Sequence, residues 1–180
     1  MTGGSSATRR LVLIAMLSAG GLVFFVFESF LPLLPWLRPG LGNVATIIAL
    51  FLLGFRDATK VTLLRIILGS LVLGRLFTPV FLFAFSGGIA SLVVMGLVLR
   101  YLGRVFGPVG ISALGAVAHN TVQLGVAYLV FVKSMEVFIF MPVFLLAGVV
   151  TGALTGLLAA VVLEKMDKHS GLRALTSEAP

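Results

Sequence analysis

The chain of 180 residues contains no cysteine, which excludes disulfide bridges and thiolate metal sites. Only 11% of its residues are charged, whereas ordinary soluble domains carry about 25%. P-loop, Gly-x-Ser-x-Gly and His-Glu-x-x-His sequences are also missing, so the chain lacks the usual Walker machinery for ATP hydrolysis. We therefore predict that this chain is not an enzyme and needs no cofactor.

Histidine is scarce too, since the sequence has only His119 and His169. The first lies in an apolar run and the second in a polar tail, so no metal site is predicted. The formal net charge is +7. In a chain this apolar, the excess is better explained by basic residues in cytoplasmic loops than by nucleic-acid binding.

Hydrophobic residues are abundant, at 59% of the sequence, and they predict an integral membrane protein of the all-α class. We predict three parts: a tail at 1–10, a membrane domain at 11–163 and a polar tail at 164–180. The fourth helix is expected to be interrupted at Ser86-Gly87-Gly88. The six predicted transmembrane helices cover about residues 11–34, 41–55, 58–76, 80–99, 109–132 and 137–163.

The basic residues predict how the helices are oriented in the membrane. Six spans place both termini on one side, and the side with more Lys and Arg is normally cytoplasmic. Nine basic residues fall on the terminal side: Arg9, Arg10, Arg56, Lys60, Arg100, Arg104, Lys165, Lys168 and Arg173. Three fall on the other side: Arg38, Arg75 and Lys133. We therefore predict cytoplasmic termini and a multi-pass protein of the inner (cytoplasmic) membrane, with the lipid bilayer as its first partner.

Three polar residues lie together in the fifth predicted helix, within an apolar run at 109–132 that has no Lys, Arg, Asp or Glu. His119 and Gln123 are four residues apart and share one helix face, with Asn120 beside them. Polar groups at this depth usually face a bundle interior, a cavity or a partner. The triple predicts a polar cavity that binds substrate, and a hydrogen-bonded contact between helices is the alternative.

Arg65 lies inside the third predicted helix, where a charged side chain costs roughly 2.5–3.5 kcal/mol to insert. It either extends toward the cytoplasmic headgroups or anchors an anionic ligand or partner. Asn43 is at the start of the second helix, where it could cap the helix or contact a ligand. We predict that both residues bind substrate, so that helices 2, 3 and 5 line the site.

Two further pairs carry predictions. Glu28 and Arg75 are at similar depth near the outer ends of helices 1 and 3, and they predict an ion pair that acts as a structural brace or an outer gate. Ala15 and Ala19 are four residues apart in helix 1, so they could allow close packing within the chain or close contact with a partner.

Several segments resemble one family over roughly residues 10–163. The bacterial Gx transporter family, whose members are also known as heptaprenyl diphosphate synthase component I, has segments similar in order and spacing. The most specific segments are Gly115-Ala-Val-Ala-His-Asn120 with Gln123, and Leu64-Arg-Ile-Ile-Leu-Gly-Ser70. The others are Gly40-Leu-Gly-Asn-Val-Ala-Thr46, Ser86-Gly-Gly88 and Pro142 through Gly152.

That family is similar to the substrate-binding S components of energy-coupling factor (ECF) transporters. The resemblance implies a six-helix bundle that binds a small molecule, here of unknown identity, at its outer side. It also implies partners, namely a shared transmembrane subunit and two ATPases that energise uptake. S components typically carry an Ala-x-x-x-Ala docking surface in helix 1, which Ala15 and Ala19 match.

The synthase name implies an alternative, in which the chain is a membrane accessory subunit of a heptaprenyl diphosphate synthase in isoprenoid or quinone biosynthesis. Polyprenyl synthases bind diphosphate through magnesium held by paired Asp-rich motifs. This chain has only Asp57 and Asp167. It would therefore assist a catalytic partner rather than catalyse the reaction itself.

Overall fold

The computed structural model describes residues 3–30 and 40–169, and these ranges contain helices and connecting turns but no strand. The all-α class predicted from the sequence is confirmed. A π-helical segment, Ala127–Val132, and a 3-10 segment, Met135–Phe140, connect the last two α-helices. The six α-helices are α1 (Gly3–Glu28), α2 (Asn43–Leu53), α3 (Phe55–Val72), α4 (Pro79–Leu102), α5 (Pro108–Val126) and α6 (Met141–His169).

Several predicted boundaries differ from the structure, since α1 begins at Gly3 instead of residue 11 and α3 ends at Val72 instead of residue 76. α4 continues through Ser86-Gly87-Gly88 without a break, since glycine in a helix interior costs only about 1 kcal/mol. α6 continues to His169, beyond the predicted end of helix 6 at residue 163. There an ion pair of 2.7 Å between Lys168 and Glu164 joins successive turns of the helix. α1 ends at Glu28, before the predicted end of helix 1 at residue 34. Residue 34 itself and the tail from 170 lie outside the described residues.

Neighbouring helices alternate in direction. α1 is antiparallel to α2 but parallel to α3, because Gly21 lies against Arg65 and Phe25 lies against Gly69 one turn later in both helices. α4 returns along α3, α5 along α4, and α6 along α5. As a result, α1 begins and α6 ends at the same end of the bundle.

Four helical segments are long and apolar enough to cross a membrane: Ala7–Glu28, Pro79–Leu102, Pro108–Val132 and Met135–Lys168. They indicate a multi-pass membrane protein. α2 is too short for this role, because its 11 residues extend only about 16 Å. α3 carries several charged residues and does not meet the same criteria.

The core of the bundle surrounds α2. All of its residues from Asn43 to Leu50 are buried, which is typical of a helix enclosed by other helices. Ile47 and Ala49 are fully buried, and Val61 of α3 and Leu92 of α4 belong to the same apolar cluster. The polar residues at the start of α2 are therefore enclosed by protein.

Candidate functional site

α2 and α3 form a tight antiparallel hairpin around Gly54, whose φ of +83° is readily adopted only by glycine. Thr46 and Thr62 are each eight residues from Gly54, and their hydroxyls are hydrogen-bonded at 2.9 Å. Asn43 and Arg65 are each eleven residues from Gly54. The hairpin register therefore brings these two residues together about one helical turn beyond the threonine pair.

Arg65 is enclosed in the bundle, with only 4% of its surface exposed. Its Nη2 donates a hydrogen bond of 2.6 Å to Oδ1 of Asn43, whereas its Nε has no hydrogen-bond partner among the described residues. Two glycines leave room for the side chain. A Cβ at Gly21 would come within 3.2 Å of Cδ of Arg65, and a Cβ at Gly42 would collide with Nη1.

Glu28 faces the same region from the end of α1. Its carboxylate accepts a hydrogen bond from the backbone N–H of Leu41 and lies near enough to Arg65 for an electrostatic interaction. His119 of α5 completes the wall, because its ring packs against the bare backbone of Gly87 in α4. The residues enclose a cavity of about 20 Å³, which has room for about one water molecule.

The structure thus brings Asn43, Arg65 and His119 into one polar cavity, but it directs the other two predicted residues elsewhere. Asn120 is buried between α5 and α6, where its Nδ2 donates to the carbonyl oxygen of Phe144 at 2.8 Å. This contact matches the alternative of a hydrogen bond between helices. The small residues of α6 allow it, since a Cβ at Gly148 would come within 3.1 Å of that nitrogen.

Gln123 points toward a second cavity, on the other side of His119 along α5. Its Nε2 donates to the carbonyl oxygen of Phe83 in α4 at 3.4 Å. Its Oε1 is buried and has no hydrogen-bond partner among the described residues. The surrounding side chains are mainly aromatic and aliphatic. The predicted triple therefore divides into one cavity residue, one interhelical contact and one residue of a separate, apolar cavity.

The predicted pairing of Glu28 with Arg75 is wrong. α3 ends at Val72, and the chain then turns through Gly74 at a φ of +63°, so Arg75 does not continue the helix face that carries Arg65. Among the residues described, no ion pair joins Glu28 to Arg75. Glu28 instead lies beside Arg65.

Asn43 does not cap α2 with its side chain. Gly42 occupies the N-cap position, and no side-chain hydrogen bond caps this helix. The Asn43 amide is instead directed at Arg65. The first N–H groups of α2 are met by backbone carbonyls instead, since Asn43 and Val44 donate to Gly40 and Leu41. The residue that the sequence predicted as a cap or a ligand contact holds the buried guanidinium.

Ala15 and Ala19 lie on an exposed face of α1. No heavy atom comes within 4 Å of a Cβ built on the adjacent Gly20. Packing inside this chain therefore does not explain the pair, and partner docking stays a prediction. The glycines Gly148 and Gly152 of α6 behave differently, because they pack closely against α5 as the spacing predicts.

Sequence reasoning missed an ionic cluster at the start of α3. Arg10 of α1 and Lys60 of α3 both contact the carboxylate of Asp57, with Lys60 at 2.8 Å. Burial alone raises the pKa of Asp57, but hydrogen bonds from Lys60 and Arg10 outweigh it and hold this pKa below its ordinary value. The three-residue spacing of Asp57 and Lys60 could have predicted their ion pair from the sequence. The contact of Arg10 with Asp57 could be found only from the tertiary structure.

The protein is a multi-pass helical membrane protein with ionisable groups inside its bundle. This class is defined by its helices, which are suited to cross a membrane, and by the arginine that they enclose. The family model for heptaprenyl diphosphate synthase component I matches residues 17–162. The chain belongs to that family, as the sequence resemblance predicted. No match was found among curated proteins or solved structures.

Proposed function

We propose that the chain is the substrate-binding membrane subunit of an uptake system, similar to an ECF S component, and that partner ATPases supply its energy. The observation that carries the proposal is the buried Arg65 in a polar cavity. An ionisable side chain held within a membrane bundle is costly, and such residues commonly mark a ligand or ion pathway. Asn43 and His119 would contact the substrate beside it.

The chemistry of the cavity favours a substrate with hydrogen-bond acceptors. Arg65 has five N–H donors, and the amide of Asn43 accepts from one of its nitrogens, Nη2. Its Nε remains available among the described residues. A carboxylate, phosphate or amide oxygen would satisfy this donor. Because Glu28 already lies beside the guanidinium, we favour a substrate that also carries a donor or a positive group.

The size of the cavity supports a closed state in this structure. Its volume of about 20 Å³ has room for about one water molecule, so any metabolite requires the surrounding helices to separate. α1 meets Arg65 through Gly21, and its movement would open the cavity without breaking the α2–α3 hairpin. Binding coupled to such a movement is the behaviour of a transport subunit rather than of an enzyme.

The exposed Ala15 and Ala19 are the proposed contact for the energising transmembrane subunit. Small residues on a lipid-facing helix allow another helix to approach closely. On this proposal, the double variant Ala15→Leu, Ala19→Leu loses the partner but keeps the polar cavity. Arg65→Ala has the opposite effect.

The proposal is tested by isolating the protein from its own host in mild detergent and measuring co-purifying metabolites and chains by mass spectrometry. We expect a metabolite that is enriched with the native protein and reduced about tenfold or more with Arg65→Ala and with His119→Ala. Gly20→Ala is the control, because that site touches nothing. Equal metabolite recovery from all four proteins, each inserted in the membrane, would rule out this site.

A second function is supported by the family itself. Component I of a heptaprenyl diphosphate synthase implies an accessory chain that holds a soluble prenyl-transferring partner at the membrane. On this view, the cytoplasmic contacts lie near Arg56 to Lys60 and near Arg100 to Arg104. Co-purification of a soluble prenyl synthase without an ATPase, lost on alanine substitution of those loops, would favour the accessory function over transport.

A further inference from the structure

A second cavity opens between α4, the C-terminal end of α5 beyond His119, and the beginning of α6. Its volume is about 460 Å³, which falls within the range of small-molecule sites. The buried Leu124 and Phe144 form part of its floor. Phe83 of α4 and Phe131 pack against each other in its wall, with their ring centroids 5.3 Å apart.

A local change in helix type shapes this cavity. After Val126 the chain widens into the π-helical segment Ala127–Val132, which ends where the N–H of Lys133 donates to the carbonyl of Tyr128 five residues earlier. The widening places the small side chain of Ala127 in the cavity lining and turns Phe131 toward Phe83. Single-turn π-helices are rare and often occur at functional sites.

Gln123 supplies the one buried polar side chain of this cavity. It is 3% exposed, and its Oε1 has no hydrogen-bond partner in the part of the chain that the structure describes. Leaving a buried acceptor unsatisfied is unfavourable, so this oxygen favours an occupant with a donor. Glu136 lies at the exposed rim and disfavours an anionic group there.

We propose that this cavity is a binding site for a hydrocarbon-rich small molecule that is neutral or cationic and carries a hydroxyl or N–H group. The hydrocarbon part lies against the paired rings of Phe83 and Phe131, and the donor meets Oε1 of Gln123. The polar cavity around Arg65 uses different side chains. The two sites are therefore independent, and each can be tested while the other is intact.

The test uses the full chain in lipid nanodiscs and a ten-carbon alcohol that carries a photoreactive diazirine. We expect saturable labelling beside Phe83 and Phe131. Unlabelled decanol should compete roughly fivefold better than its methyl ether, because the ether cannot donate to Gln123. Gln123→Leu, which keeps a similar volume, should remove that difference while the labelling itself persists.

Ala127→Trp should abolish the labelling, because the indole fills the cavity. Leu129→Trp is the matched control in the same π-helical segment; Leu129 is 69% exposed, does not line the cavity, and its variant should be labelled normally. If Ala127→Trp does not reconstitute, the competition experiment with Gln123→Leu decides. Labelling that is unsaturable, or equal competition by decanol and its ether in the native protein, would show nonspecific filling by lipid and overturn the proposal.

Discussion

The two polar clusters along α3 differ in how their charges meet solvent. Near the start of the helix, Asp57 is enclosed, but its partners Arg10 and Lys60 are 57% and 62% exposed at their side chains. Eight residues after Asp57, Arg65 is buried together with Asn43 and Glu28. Both clusters connect α1 to α3. Only the second keeps its cation away from water.

This difference separates a structural contact from a candidate site. Exposed cations lose little hydration when they pair, and removing such a pair changes stability by about 1 kcal/mol or less. A buried guanidinium has lost its hydration, so each remaining interaction matters more. Arg65 nevertheless keeps an Nε without a partner among the described residues and lies beside a small void. A site selected only for stability would not be expected to retain both features.

The largest effect is expected from Arg65→Met. The substitution removes a buried guanidinium that donates to Asn43 and interacts with Glu28, and it should lower the free energy of unfolding by roughly 3–5 kcal/mol. Titration with dodecyl sulfate in mixed micelles would measure this loss. The double variant Glu28→Gln, Arg65→Met should recover part of it, because neither charge then remains. A double variant no more stable than the single one would show that the two charges do not interact.

Gly42→Ala should have the next largest effect. Gly42 has a helical φ of −58°, which alanine adopts without strain, so any loss must come from the collision of the new Cβ with Nη1 of Arg65. Overpacking of this kind costs about 1–3 kcal/mol. Gly20→Ala, measured by the same titration, should be neutral or slightly stabilising. Equal effects of the two substitutions would contradict the position of the guanidinium.

Asp57→Asn tests the exposed cluster and should lower the free energy of unfolding by only about 0.5–1 kcal/mol. Its amide oxygen still accepts from Arg10 or Lys60, and both cations remain hydrated. Raising the salt concentration to 1 M should reduce this effect but not that of Arg65→Met, since exposed charges are screened more strongly. A loss of unfolding free energy above about 3 kcal/mol would show that the Asp57 cluster contributes as much to stability as the Arg65 cluster.

The smallest effect concerns pH. Because the pKa of Asp57 is lowered in the folded protein, its carboxylate stabilises the fold above the ordinary aspartate pKa of about 3.9. That contribution declines as pH falls through the folded-state pKa. The native protein and Asp57→Asn should therefore differ in thermal stability at pH 7 and converge below about pH 4. A difference that grows on acidification would contradict the lowered pKa.

The sequence predicted the broad fold because apolar runs of membrane length are a strong local signal. It located Asn43, Arg65 and His119, which the tertiary structure brings together. It placed Glu28 with the wrong arginine, because depth along a helix does not determine which face a side chain occupies or where α3 ends. It grouped Asn120 and Gln123 with His119. That grouping failed because neighbouring residues on one helix can face different partners. That Gly42 leaves room for Arg65 could not be predicted from the sequence, because it depends on the path of the Arg65 side chain.

The burial of α2 from Asn43 to Leu50 also has a consequence for biogenesis. At about 16 Å, this helix is shorter than the hydrocarbon layer of roughly 30 Å, so lipid alone provides it with no stable transmembrane position. It must enter the membrane together with α3, to which Gly54 joins it directly. Until α1 packs alongside, Arg65 lacks Glu28 as a neighbour. We therefore expect α1, α2 and α3 to assemble in the membrane together rather than one after another.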